Sequence, residues 1–198
     1  MAKRPNLLIV QTLVALLSGQ SFAYGGDAIT PLPVREIAPG VYAHQAPVTA
    51  MNAASGGDIA NIGFIVGDDA VAIIDTGGAP IIGERLKKAI EAVTHKPIRY
   101  VINTHEHPDH IFGNAAFVGP GVTFVGHKNL PRAMAERGPS YLATWRRVMT
   151  PDLVNGIKLV PPTLLVGTDK DVKLDLGHRM LDLHDWPPMQ TDCDVTIF

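Results

Sequence analysis

The chain has 198 residues, a length that suits one domain with a substantial buried core. Hydrophobic residues make up 46% and charged residues 18%, which excludes a disordered chain. The formal net charge is −2 and no Lys/Arg run or basic stripe occurs, which argues against a nucleic-acid partner.

Residues 1–23 read as a secretory signal peptide. Lys3 and Arg4 supply a positive start, Leu7 to Leu17 an apolar run, and Ser21-Phe22-Ala23 a small-x-small cleavage pattern. The apolar run is too short to span a bilayer comfortably, so no membrane span is expected after cleavage. The predicted location is periplasmic or secreted. Residues 24–33 read as a flexible leader, and 34–198 as the domain. Cys193 is the only cysteine, so no intrachain disulfide is possible. It reads as an ordinary part-buried thiol.

Val34 to Ile37 and Val41 to His44 predict short strands around the Pro39-Gly40 turn. Ala53 to Asp58 is a Gly-rich loop. Ile59 to Val66 and Ala70 to Asp75 predict strands joined by a hairpin turn at Gly67-Asp68-Asp69. Ile81 to His95 is the strongest helix, with Ile82, Leu86, Ala89, Ile90 and Val93 on one face and a Glu84–Lys88 pair opposite. Ile98 to Asn103 predicts a buried strand and Thr104 to Asn114 a loop. Val122 to Val125 predicts another strand, and Asn129 to Arg137 and Tyr141 to Met149 two short helices. Strands follow at Thr163 to Val166, Val172 to Leu174, Arg179 to Leu183 and Val195 to Phe198. This order predicts a layered α/β domain.

The informative stretch is His105-Glu106-His107-Pro108-Asp109-His110, directly after the apolar run Tyr100-Val101-Ile102. Imidazole nitrogens and carboxylate oxygens are ordinary zinc ligands. Residues two apart in an extended segment point the same way, so His105 and His107 can grip one ion. Asp109 and His110, past the Pro108 bend, can face a second position. Two adjacent metals can activate a bridging water. The helical protease motif H-E-x-x-H is rejected, because Asp109 stands at its fifth position and Pro108 would break its helix.

The His-x-His-x-Asp-His run, preceded by Ile73-Ile74-Asp75-Thr76-Gly77 and a helix, resembles the metallo-β-lactamase superfamily. The resemblance covers about residues 34–198. It implies a four-layer αββα sandwich with one or two Zn2+ ions at one end of the sheets. It implies that His105 and His107 hold the first metal. Asp109 and His110 would hold the second, with Asp109 also orienting the attacking water as the catalytic residue. Asp75 is either a carboxylate that orients the metal loop or a residue that forms the Gly77-Gly78 bend. Trp186-x-Pro-x-x-Thr191-Asp192-x-Asp194, with the export signal, is most similar to a periplasmic branch that accompanies quinoprotein dehydrogenases and sulfur oxidation.

One departure from the family pattern stands out. Gln190 occupies the place of the next ligand histidine, and an amide is a much weaker zinc donor than imidazole. Asp192 and Cys193 are near enough to substitute. Two later ligands of the family lie beyond the chain, so the C-terminal part of the fold is expected to be missing. His127 is a candidate for the rim of the site, and His184 reads more readily as a surface histidine. The implied function is zinc-dependent hydrolysis of a small molecule. A metal-held hydroxide would attack an ester, thioester or amide-like carbonyl. The alternative is a degenerate, non-catalytic zinc-binding relic. The oligomeric state is not readable.

Overall fold

A computed structural model describes residues 29–168 and 171–198. The predicted signal peptide therefore lies outside the described residues. The leader lies outside them in part, and its Leu32 is packed. That side chain is 2% exposed and its N–H donates to the Arg85 carbonyl.

Seven strands form one sheet in chain order: β1 (Arg35–Ala38), β2 (Val41–His44), β3 (Ile62–Val66), β4 (Val71–Ile74), β5 (Ile98–Ile102), β6 (Thr123–His127) and β7 (Leu164–Val166). The strands from β1 to β4 pair antiparallel, and those from β4 to β7 pair parallel. The Gly67-Asp68-Asp69 hairpin is present, with Val66 opposite Val71. The second sheet holds β8 (Val172–Asp175), β9 (Met180–Asp185) and β10 (Val195–Ile197), all antiparallel, with β9 central.

Strand side chains alternate between faces, and the central strands of the large sheet are buried on both, whereas β1 at its edge is exposed. Val71, Ile73, Val101 and Phe124 face helix α1 (Pro80–Val93), meeting Ile82, Leu86, Ala89 and Ile90. Ala70, Ala72, Ile102 and Val125 face the second sheet, meeting Leu174, Leu181, Leu183 and Val195. Helix, sheet and sheet are thus three layers of the αββα arrangement. Pro80 starts α1 at a position where its missing N–H costs nothing. On that helix Lys88 pairs with Glu91 at 2.7 Å, and not with Glu84 as the sequence predicts.

Two further elements differ from the sequence prediction. Pro108 does not merely bend a loop; it opens a helical turn, α2 (Pro108–Ile111), followed by a 3-10 turn at Asn114–Phe117. The two predicted helices after β6 are one, α3 (Leu130–Val148), which runs through Pro139. Tertiary packing explains its persistence: Leu130, Ala133, Met134 and Trp145 share a core with Ile111, Phe112 and Cys193. Gly138 lets Leu159 approach, since a Cβ there would lie 2.3 Å from Leu159 Cδ1. A short turn, α4 (Pro151–Val154), follows. No helix among the described residues is long and apolar enough to cross a membrane.

Candidate metal centre

The parallel pairing sets Ile74 beside Ile102, so β4 and β5 end together. The chain leaves β4 through Asp75 and leaves β5 through Asn103, Thr104 and His105. Carboxyl ends of parallel strands are where α/β sheets bind ligands. The turn carrying Asp109 and His110 then folds back over the β4 end. Thr76 N–H donates to His110 O at 2.8 Å, and Gly113 N–H to Gly77 O at 2.9 Å. That approach requires glycine at 113, because a Cβ would stand 2.0 Å from the Thr76 carbonyl oxygen.

Asp75 organises the loop. It sits in the left-handed region at φ 57°. Its carboxylate accepts the Thr104 N–H at 2.8 Å, the Thr104 hydroxyl at 2.7 Å and His110 Nδ1 at 2.8 Å. The Thr104 hydroxyl, having donated to Asp75, accepts from His105 Nδ1 at 2.9 Å. In their neutral forms both histidines therefore carry the proton on Nδ1 and present the Nε2 lone pair. Of the two readings of Asp75, the orienting carboxylate is the one the structure contains. Beneath it, Thr76, Asn103 and Asn114 exchange side-chain hydrogen bonds of 2.8–3.1 Å and are fully buried.

The four predicted metal residues come together. His105 Nε2 lies 3.1 Å from His107 Nδ1. The His105 and His110 rings are 4.1 Å apart, centroid to centroid. His110 Nε2 lies 3.5 Å from Asp109 Oδ2. Two donors held at 2.0–2.1 Å on a tetrahedral zinc stand about 3.3 Å apart, so both spacings match one edge of such a site. Each pair therefore fits two donors of a metal ion, and no three of the four side chains converge on one point. Burial, together with the neighbouring charge of His110, lowers the pKa of His105 and favours the neutral, ligating form. Burial also pulls His110 down, but the hydrogen bond and charge of Asp75, with Asp109, outweigh it and leave the pKa raised.

Gln190 reaches the site from the β9–β10 connection, its amide 3.3 Å from His107 Nδ1. The two other candidate substitutes are engaged elsewhere. Asp192 pairs with Arg132 and, at 3.1 Å, with Arg137. The Cys193 thiol is buried and donates to Glu106 Oε2 at 2.6 Å. Burial and that bond push its pKa up to about 12, so the thiol is held as a protonated donor to Glu106. Glu106, Asp192 and Cys193 lie close enough to hold an ion of their own. Arg137 already supplies the positive charge there, donating to Glu106 at 2.6 Å.

His127 is buried, accepts the Asn129 N–H at 3.0 Å and faces Asp185, so it serves the β6–α3 junction. His184 stacks edge-on with Phe198. Sequence reasoning missed Thr104, Glu106, Arg137 and the Asn103–Asn114 pair. Polar residues placed directly after an apolar strand are the one local signal for Asn103 and Thr104. Beside the histidines a cleft of about 340 Å³ opens, with Trp186 and Met189 on its apolar rim.

Comparisons with known proteins bear on the fold and the family. The family model of the metallo-β-lactamase superfamily matches residues 55–191. No curated protein shows a significant match to the chain. Among solved structures, the metallo-β-lactamase FIM-1 from Pseudomonas aeruginosa, in its mono-zinc form, is 18% identical with a TM-score of 0.61, over 85% of this chain and 65% of that one. The metallo-β-lactamase from Pontibacter korlensis is 19% identical with a TM-score of 0.62, over 84% and 66%. The inverting sec-alkylsulfatase Pisa1 from Pseudomonas sp. is 20% identical with a TM-score of 0.64, over 83% and 29%. The chain thus spans only part of these relatives' lengths. The family match covers most of the chain, and the chain belongs to the metallo-β-lactamase superfamily.

Proposed function

We propose that this chain is a zinc-dependent hydrolase acting on an ester, thioester or amide-like bond of a small molecule. The single observation that carries the reading is the 3.1 Å spacing of His105 Nε2 and His107 Nδ1, with the His105 tautomer set through Thr104 and Asp75. His105 and His107 would hold a first metal, and Asp109 and His110 a second. When bound, the metal supplies a water of lowered pKa and polarises the substrate carbonyl. Asp109, a quarter exposed at the mouth of the site, is placed to hold a proton of that water. Asp75 keeps His110 pointed inward, and the apolar rim of Trp186 and Met189 receives the uncharged part of a substrate.

Residues 1–23 we read as an export signal that leads to the periplasm or to secretion. A mature N-terminus found at Tyr24 in the exported fraction would support that assignment.

A second reading, a non-catalytic relic, is favoured by Gln190 at a ligand place. Zinc content of the purified chain, measured by elemental mass spectrometry, decides between them together with a screen of ester, thioester and β-lactam substrates. One or more zinc per chain with turnover supports the hydrolase, and essentially no zinc supports the relic. His107→Ala is expected to abolish zinc-dependent turnover and leave the far-ultraviolet circular dichroism unchanged. Turnover retained in that variant would sink the site assignment.

A further inference from the structure

We propose that Gln190 is the third protein donor of the metal place formed by His105 and His107, through its side-chain amide oxygen. The inference rests on the metal reading above and gives that site a weaker, harder donor than imidazole. Three observations carry it.

The first is position. The Gln190 amide stands 3.3 Å from His107 Nδ1, and His107 Nδ1 stands 3.1 Å from His105 Nε2. Each separation, both measured from His107 Nδ1, matches the spacing that two donors on a zinc-sized ion would have. The amide nitrogen faces His107 in the structure. A half-turn of the terminal torsion exchanges it for the oxygen at the same place without moving the chain.

The second is elimination within the same segment. Asp192 is held by Arg132 and Arg137, Cys193 by Glu106, and Asp194 accepts the Thr191 N–H at 2.9 Å. Asp194 shares the cleft with His105 and His110, but Gln190 is the one of these side chains within hydrogen-bond distance of a metal-loop histidine.

The third is support. The Met189 N–H donates to the Thr191 carbonyl, the Cys193 N–H to the Thr191 hydroxyl, and Asn129 Nδ2 to the Asp192 carbonyl. The thiol of Cys193 and the guanidinium of Arg137 both bind Glu106, which lies between the two metal histidines. The loop that carries Gln190 is therefore tied to the loop that carries His105 and His107. The amide is delivered to the site by its neighbours and does not reach it by chance rotation of a free chain.

An amide oxygen is neutral and hard, so zinc should bind more weakly here than at a three-imidazole place. The test is zinc affinity of the purified full chain, by competition with a chromogenic chelator. Wild type is compared with Gln190→Ala and Gln190→His, and the visible spectra of the cobalt-substituted proteins report donor geometry. Gln190 is exposed, so neither variant is expected to change the fold, and thermal melts of the metal-free proteins check this. The expected result is a loss of about tenfold or more in Gln190→Ala and a gain of about tenfold or more in Gln190→His, each with an altered cobalt spectrum. Equal affinity and an unchanged spectrum in Gln190→Ala would overturn the inference and leave the metal reading intact. Zinc bound by Gln190→His alone would also overturn it, since the native amide would then contribute nothing. No zinc bound by any of the three would remove the metal reading itself.

Discussion

Asp75 controls two of the four predicted metal side chains without being placed to touch a metal. One carboxylate oxygen accepts from Thr104 Oγ1 and His110 Nδ1, and the other from the Thr104 N–H. Three donors converge on a group that is 2% exposed, so its charge is compensated entirely by neighbours. Asp75→Asn is the informative substitution. Asparagine tolerates the left-handed backbone at φ 57°, so the change isolates the carboxylate from the turn. Its NH2 group would face at least one donor it cannot accept from. We expect zinc affinity to fall by about 10–100-fold, as for other groups that orient a metal ligand from behind. Urea titration should also give a stability loss of about 1–3 kcal/mol. Unchanged affinity would mean that His110 needs no help in its orientation. The four predicted metal residues are legible in the sequence because they fall within six consecutive positions after an apolar strand. The role of Asp75 is not, because Thr104 lies 29 residues away and only the parallel β4–β5 register brings the two together.

Between elements, the decisive feature is the junction of α3 with the two loops. Arg137 comes from α3, Glu106 from the metal loop, and Asp192 and Cys193 from the β9–β10 connection. The sequence separations are 31 residues for Arg137 to Glu106 and 87 for Cys193 to Glu106, so no local pattern announces the contact. The sequence does show Glu106 as charged, and a solvated surface carboxylate would be the ordinary expectation. In the fold it is 2% exposed and has two donors. Pro108 likewise reads as a bend and residues 138–140 as a gap between two helices, yet Pro108 starts a helical turn and Pro139 is carried inside α3 by the packing around it. The junction makes a measurable prediction. Burial and the hydrogen bond to Glu106 raise the Cys193 pKa to about 12, so the thiol stays protonated at pH 8. Burial shields it further. An aromatic disulfide reagent at pH 8 should therefore label the native chain far more slowly than the urea-unfolded chain. Added zinc should slow native labelling again, because the metal place and the thiol share the Gln190 loop. Labelling as fast in the native state as in urea would mean that the junction opens freely.

At the level of the whole molecule, the two sheets meet through an apolar interface, and the candidate metal residues bridge its open end. His105, His107, Asp109 and His110 follow β5 of the large sheet, whereas Gln190 sits between β9 and β10 of the small one. The protein also joins the two sheets there by backbone, with the Val195 N–H donating to the Thr104 carbonyl at 2.9 Å. A metal held by both sides would act as a further tie between sheets that otherwise rely on contacts such as Ile102 and Val125 against Leu181 and Leu183. Anything bound only by the folded state stabilises it, by about 2.7 kcal/mol when free ligand is 100 times Kd. For a domain of this size that corresponds to a rise in Tm of about 5–10 °C. Thermal melts with zinc and with a chelator should differ by that amount in wild type. They should coincide in His107→Ala, which retains the sheets and loses a central donor. The difference should be smaller in Gln190→Ala, where the large-sheet donors remain and the link to the small sheet is cut. A zinc-dependent rise that survives intact in His107→Ala would place the stabilising ion elsewhere on the chain.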